Sequence, residues 1–204
     1  MEFSTASLIS FLVALSFAAG LNLYATVAVL GLLARFNVAQ LPHGLEAVGN
    51  TWVICVSIAL FLVELFADKV PMVDVVWSAL HTFIRIPVAA LMAYKASEQL
   101  SPEMQLVVAL MGAAVAAVVH GSKTAVRVAV TPSPEPVSNA VLSGSEDVVA
   151  IVLTWIATHH PVFAGVFAAV AVVICLLAAR WIIRKLRIAF SRIGARFKPA
   201  PVVS

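Results

Sequence analysis

Charged residues are scarce in this chain. Its 13 Lys and Arg and 10 Asp and Glu make up 11% of 204 residues, whereas soluble domains carry about 25%. So few charges cannot cover a water-facing surface, which excludes a soluble globular protein. The sequence is 62% hydrophobic, with a mean hydropathy of +1.05. This composition predicts an all-α, polytopic bundle of transmembrane helices, because a helix satisfies its own backbone hydrogen bonds in lipid.

Cysteines and catalytic motifs are equally sparse. Cys55 and Cys175 lie in apolar runs without a Cys-x-x-Cys partner or a histidine at ligand spacing. The sequence has no Gly-x-Ser-x-Gly, His-Glu-x-x-His or phosphate-binding glycine loop. We therefore predict no metal site, no cofactor and no enzyme. An intramembrane enzyme acting on lipid, built from scattered residues, stays open as a weaker alternative.

Acidic residues are missing after Asp147, while seven basic residues crowd between Arg180 and Lys198. Apolar residues recur there at steps of three and four, the pattern of an amphipathic helix lying in the membrane interface. We expect residues 180–204 to form a basic cytoplasmic tail that binds anionic lipid headgroups. Nucleic acid is not expected as a partner, because no aromatic-rich reading surface accompanies the basic residues.

Six apolar segments precede this tail and form one transmembrane domain, residues 1–179. They cover approximately 6–35, 51–67, 72–94, 104–131, 139–158 and 162–179. The first and fourth are the longest and are interrupted near the middle, at Gly20–Asn22 and His120–Lys123, so each half is only ~20 Å long. Kinked spanning helices and re-entrant hairpins both fit this pattern. Six crossings would place both termini in the cytoplasm.

The two halves of the domain, about 6–95 and 104–179, resemble each other. Residues 20–29 align without gaps to residues 121–130, sharing a glycine and a Val-Ala-Val run, and Pro71 matches Pro161. We therefore predict two pseudo-symmetric, inverted three-segment repeats, each with a broken first helix, as in many transporters.

The third segment carries polar residues at depth. Asp74, Ser78, His81 and Arg85 share one helical face. Arg85 would lie ~20 Å along the segment, where a charge costs about 3 kcal/mol or more unless it meets water or a partner. Either Arg85 faces a wet cavity, or it forms an internal ion pair with Glu64 that fixes helix packing.

The fourth segment places His120, Lys123 and Arg127 on one stripe. If the helix breaks at Gly121, its free N–H groups and these cations suit an anion or phosphate. Otherwise Lys123 and Arg127 extend to cytoplasmic headgroups. Asn22, at the corresponding break of the first half, would cap a helix or bind substrate.

Two adjacent carboxylates, Glu146 and Asp147, follow in the fifth segment. Because neighbours on a helix point in different directions, we expect one to pair with Lys123 or Arg127 and the other to face water. The candidate substrate-binding residues are therefore Asn22, Glu64, Asp74, His81, Arg85, His120, Lys123, Arg127, Glu146 and Asp147.

Five stretches together resemble a known family. They are GLNLYAT at 20–26, GNTW at 49–52, FADKVP at 66–71, VWSALHTFIR at 76–85 and PVSN at 136–139. As a set they resemble a bacterial family of membrane proteins known only as domain of unknown function 4126. The resemblance implies a multi-pass protein of the bacterial cytoplasmic (inner) membrane, here with a cytoplasmic C-terminus, and it implies no substrate or activity.

The main functional hypothesis is a small transporter or lipid-translocating protein for an anionic, phosphate-bearing substrate. Arg85, Lys123 and Arg127 would neutralise the anion, while Glu64 and His81 would couple transport to protons. The alternative is a non-transporting scaffold or regulator that binds another membrane protein through Ala- and Gly-rich helix faces. Membrane lipids are expected partners of the basic tail, and association into a homo-oligomer stays open.

Overall fold

The computed structural model describes residues 3–67, 71–130 and 136–196, and for residues 71–75, 78, 128–130, 136–139, 186 and 189–196 it describes the backbone alone. The regular structure in these ranges is α-helix apart from one 3-10 turn, Glu46–Gly49. Seven helices run through them: α1 Thr5–Leu21, α2 Leu23–Arg35, α3 Thr51–Ala67, α4 Pro71–Ala96, α5 Pro102–Val130, α6 Pro136–His159 and α7 Pro161–Arg196. The predicted all-α fold class is confirmed.

The outer surface of the bundle is largely apolar, as expected of a membrane protein. Among the described residues, three helices are long and apolar enough to cross a membrane by length and composition, over Pro102–Arg127, Ala140–His159 and Pro161–Lys185. Large apolar side chains, among them Trp52 and Phe83, are exposed on α3 and α4 as well. Such a continuous apolar exterior is unfavourable in water and normal in lipid.

Helix α1 lies in the middle of the bundle. It packs against α4, α5, α6 and α7, as expected of a helix that is apolar all round. A Cβ added at Gly20 would lie 2.8 Å from Cβ of Val119 in α5, and one at Gly165 of α7 would lie 2.6 Å from Cβ of Ser10. These small residues let the helix backbones approach closely, which holds α1 at the centre.

Helices α1 and α2 form a re-entrant hairpin, joined by the single extended residue Asn22. The start of α1, the chain following α2 and the α6–α7 junction line one cavity of about 520 Å³, with Phe3, Val38 and His159 in its wall. The side chain of Gln99, between α4 and α5, donates to the carbonyl of Phe3 (3.0 Å). We call this side of the bundle the Phe3 end. The first apolar segment therefore enters and leaves at the Phe3 end, as one of the two sequence alternatives proposed.

Helix α7 starts at the Phe3 end and runs to Arg196 without a break. Its 36 residues span ~54 Å, so its basic residues lie at the opposite side of the bundle, which we call the Arg187 end. The start of α1 and the end of α7 therefore lie at opposite sides of the bundle, whereas six crossings would have placed both termini on one side. The expected boundary between domain and tail at residue 180 falls inside one helix, and a separate interfacial helix is not confirmed. Residues 197–204 lie outside the described residues.

The break predicted at His120–Lys123 is wrong, because α5 is helical from Pro102 to Val130. The hydroxyl of Ser122 bonds to the carbonyl of Val118 one turn earlier (2.7 Å) and to the carbonyl of Cys175 in α7 (3.1 Å), so this polar group is satisfied without a break in the helix. The segment is thus one continuous helix, long and apolar enough to cross a membrane over Pro102–Arg127.

The predicted inverted repeat is not confirmed. The first half contains the hairpin followed by α3 and α4, whereas the second contains the unbroken helices α5, α6 and α7. Gly20 is packed against α5, while its aligned counterpart Gly121 has open space where a Cβ would be. The aligned prolines do correspond, since Pro71 and Pro161 each begin a helix, a position that suits proline.

The hairpin makes a testable prediction about topology. In a chain with Cys55 and Cys175 replaced by alanine, Ser4→Cys and Gln40→Cys should react with a membrane-impermeant maleimide from the same side. Arg187→Cys should react from the other side. Labelling of Ser4→Cys and Gln40→Cys from opposite sides would show that the first segment crosses the membrane.

Candidate functional site

The tip of the hairpin lies inside the bundle and is bound by polar side chains. Asn22 caps α2 by accepting the backbone N–H of Ala25 (2.9 Å), and its amide donates to Oδ1 of Asp147 in α6 (2.8 Å). The carbonyl of Leu21, at the end of α1, accepts from Arg85 (3.4 Å) and Lys123 (3.3 Å). A helix end leaves such carbonyls unpaired and slightly negative, so two cations are favourable partners there.

The two cations belong to a connected set of charges that we call the central network. Arg85 of α4 forms a fully buried ion pair with Glu64 of α3. Lys123 of α5 contacts both Glu64 (3.9 Å) and Glu146 of α6 (2.9 Å), and Arg127 contacts the same oxygen of Glu146 (3.1 Å). The network therefore joins four helices around the hairpin tip.

His120 extends the network on one side. Its Nδ1 lies 3.2 Å from Nη1 of Arg85, and its Nε2 lies 2.7 Å from the hydroxyl of Thr82. His81, in contrast, stacks on Trp77, bonds to the Trp77 carbonyl (2.7 Å) and meets the edge of Tyr24. Among the described residues, the contacts of His81 are thus with aromatic neighbours.

Exposure rises along the network toward the Arg187 end. The exposed fraction of the side chain is 0% for Arg85, 2% for Lys123, 7% for Arg127 and 17% for Glu146. Arg127 lies one helical turn beyond Lys123 in that direction. Glu146 is therefore the member through which the network is most readily reached.

The network and its neighbour Asp147 are balanced in charge. Three cations, Arg85, Lys123 and Arg127, stand with three carboxylates, those of Glu64, Glu146 and Asp147. Breaking one buried pair would leave an uncompensated charge, which is strongly destabilising. Within the Glu64–Arg85 pair, Oε2 of Glu64 and Nε of Arg85 are buried without a hydrogen-bond partner among the described residues. The site thus has polar atoms to offer to water or to a ligand.

Nine of the ten candidate residues are brought to this interior. The alternative in which Arg85 pairs with Glu64 is confirmed. Extension of Lys123 and Arg127 to headgroups is wrong, because both are buried and paired. The pairing of one adjacent carboxylate with these cations is confirmed for Glu146.

The expectation that the second carboxylate faces water is wrong, since Asp147 is buried and bound to Asn22. The side chain of Asp74 lies outside the described residues. Sequence reasoning missed Thr82, although it lies three residues before Arg85 and hence on a neighbouring part of the same face. In the described residues, no group of three or more His, Cys, Asp or Glu side chains could hold a metal ion.

An apolar cavity of about 370 Å³ lies between α2, α3 and α4. Its wall includes Leu23 and Ile84, which are next in sequence to Asn22 and Arg85, and Leu60, which is one helical turn from Glu64. The apolar lining of this cavity suits a hydrocarbon group.

A chain with these helices, an apolar exterior and a charged interior is a polytopic helical membrane protein. It belongs to the family described as Domain of unknown function (DUF4126), whose model matches residues 9–181. The resemblance drawn from the sequence motifs is confirmed. No curated protein and no solved structure matches the chain.

The Glu64–Arg85 pair gives a stability prediction. Glu64→Gln or Arg85→Gln alone should lower the free energy of unfolding by about 3–5 kcal/mol, because each leaves a buried charge without its partner. The double variant should lose less than the sum of the two. Unfolding in mixed micelles by titration with dodecyl sulfate measures all three.

The exposed pair Lys95–Glu98, whose nitrogen and oxygen are 3.2 Å apart, is the matched control. The same substitutions there should change stability by less than about 1 kcal/mol. Additive effects of Glu64→Gln and Arg85→Gln would contradict the buried pair.

Proposed function

We propose that this protein is a small transporter or lipid-translocating protein for an anionic, phosphate-bearing substrate. The observation that supports this most is the convergence of Arg85, Lys123 and Arg127 on the tip of a re-entrant hairpin inside the bundle. Discontinuous helices whose ends meet ionisable side chains near mid-membrane are a recurring feature of substrate sites in transporters.

The hairpin supports access from the Arg187 end. Helix α1 ends at Leu21 and α2 begins at Leu23, so neither extends beyond the hairpin tip. The half of the bundle toward the Arg187 end is therefore built from α3–α7 alone, without a central helix. The increase in exposure from Arg85 to Glu146 follows the same direction. An anion entering from that side would meet Glu146, Arg127 and Lys123 before the deeper pair.

The apolar cavity between α2, α3 and α4 favours a substrate with a hydrocarbon part. An amphiphilic anion could place its charged group at the network while its chain occupies this cavity. A phospholipid or a polyprenyl phosphate has this chemistry, which supports lipid translocation over transport of a small inorganic ion.

The basic end of α7 supports the proposed orientation. Arg180, Trp181, Arg184 and Arg187 line one cavity of about 430 Å³, and the ammonium of Lys185 lies 5.6 Å from the Trp181 ring. Basic residues at the end of a membrane helix favour the cytoplasmic side and anionic headgroups. We therefore propose a bacterial cytoplasmic membrane protein with its C-terminus in the cytoplasm and its Phe3 end outside.

Arg127 provides the test of the carrier function. In wild type, sulfate and dimethyl phosphate should raise the apparent Tm in detergent, and liposomes containing the protein should translocate fluorescent phosphatidylglycerol. Arg127→Gln should lose both effects, because the cation that meets an entering anion first is gone.

Arg35→Gln, which removes a cation at the Phe3 end of α2, is the matched control and should behave like wild type. Each variant is first shown to insert in membranes and to elute as a single species. Unchanged stabilisation and translocation in Arg127→Gln would refute the proposal.

The α7 patch makes a separate prediction. The triple variant Arg180→Gln, Arg184→Gln, Arg187→Gln should lose the stabilisation that phosphatidylglycerol gives over phosphatidylcholine, since each basic residue near a headgroup contributes about 1 kcal/mol. Thermal unfolding in mixed micelles of either lipid measures it. Equal stabilisation of the triple variant and wild type by phosphatidylglycerol would rule out headgroup binding at this patch.

The scaffold hypothesis is kept as a second candidate because the network is balanced in charge and satisfies the hairpin tip by itself. In that case the charges only hold the helices together. Co-purification of one membrane protein in a fixed ratio, with no effect of anions or lipids on stability, would favour it over the carrier.

A further inference from the structure

Glu146 holds two cations with one oxygen. Its Oε2 lies 2.9 Å from Nζ of Lys123 and 3.1 Å from Nη2 of Arg127. A phosphate or sulfate oxygen carries comparable charge and accepts from the same donors. We propose that the Glu146 carboxylate is an internal substitute for the substrate anion, and that a phosphate-type oxyanion replaces it on Lys123 and Arg127 when Glu146 takes up a proton. This inference rests on the proposed carrier function and specifies its substrate group and its coupling.

The balance of charges requires such an exchange. With Glu64, Glu146 and Asp147 ionised, the three cations are fully compensated, and an additional anion would leave net negative charge in a low-dielectric interior. A proton taken by Glu146 from water at the Arg187 end removes one negative charge. A bound monoanion then restores neutrality, and the proton returns to water when the anion leaves.

Glu146 is the carboxylate best placed for the exchange. Glu64 is 1% exposed and held by Arg85, and Asp147 is buried and accepts from Asn22. Glu146 is more exposed than either and borders the half of the bundle that lacks a central helix. Among the described residues, the titratable or charged groups of the surrounding elements in this interior are Tyr24 on α2, Glu64 on α3, His81 and Arg85 on α4, His120, Lys123 and Arg127 on α5, Asp147 on α6 and Cys175 on α7; Thr5–Leu21 of α1 contains none.

The experiment measures anion affinity against pH with the full-length protein in detergent. The probe is sodium dimethyl phosphate, a monoanion that does not change protonation near neutral pH. Wild-type affinity should rise about tenfold for each unit that the pH falls, because one proton is taken up with each anion. Glu146→Gln, which is neutral at every pH, should bind more tightly than wild type near neutral pH and without pH dependence.

Glu98→Gln is the matched control, since it removes an exposed carboxylate at the Phe3 end and should keep the wild-type slope. Phosphatidylglycerol in mixed micelles should compete with dimethyl phosphate if the natural group is a lipid headgroup. If dimethyl phosphate binds and phosphatidylglycerol does not compete, the natural group is a free oxyanion.

Wild-type binding that is independent of pH would overturn the exchange, even if Glu146→Gln cannot be purified. Loss of binding in a folded Glu146→Gln would overturn it as well. Both results would leave the carrier function in place, provided that wild-type binding still requires Arg127. No binding to wild type at any pH would overturn the exchange and the carrier function together.

Discussion

Helix α1 ends at Leu21 in the interior of the bundle, and the buried charged residues surround the free carbonyl of Leu21. A buried carbonyl left unpaired would cost several kcal/mol. Arg85 and Lys123 bind it instead. Their charges in turn require Glu64 and Glu146, and Glu146 then has room for Arg127. One interruption of the main chain thus accounts for five ionisable side chains on four other helices.

The hairpin also divides the bundle into two unlike halves. Toward the Phe3 end, α1 fills the centre, with alanine and glycine contacts too close for any larger residue at Gly20 or Gly165. Beyond Asn22 the centre is left to side chains of α3–α6, and these are polar. The combination of a tightly packed half and a half lined by ionisable groups suits the proposed transporter, which would open on one side of the membrane while it stays closed on the other.

Most of the site residues could be predicted from the sequence because a charged side chain in an apolar segment is unfavourable in free energy. Such residues are therefore rare there and easy to recognise. The pairing of Arg85 with Glu64 followed from their similar depth in adjacent segments. The two glycine-containing interruptions, Gly20–Asn22 and His120–Lys123, have similar sequences, but only the first breaks the helix. Asn22 is a strong helix cap and binds Asp147 across the bundle, whereas the hydroxyl of Ser122 bonds to the carbonyls of Val118 in its own helix and of Cys175 in α7 and leaves α5 unbroken. That difference depends on tertiary neighbours, which single-sequence reasoning does not supply.

The fate of Lys123 and Arg127 depended on where α5 ends. Near the end of a span they would reach the headgroups, but α5 continues to Val130 and both side chains are buried in the bundle. The course of the first segment could not be predicted from the sequence either, because it too depends on tertiary neighbours. Whether it crosses or returns depends on where both of its ends lie, and Phe3 and Val38 line one cavity with His159, far away in the sequence.

The polar tip of the hairpin has a consequence for biogenesis. Leu21 and Asn22 leave the ribosome before their partners on α4, α5 and α6. The polar contacts of the hairpin tip therefore form only after those helices have been synthesised. A chain arrested before α6 would leave Asn22 without Asp147, its partner on that helix.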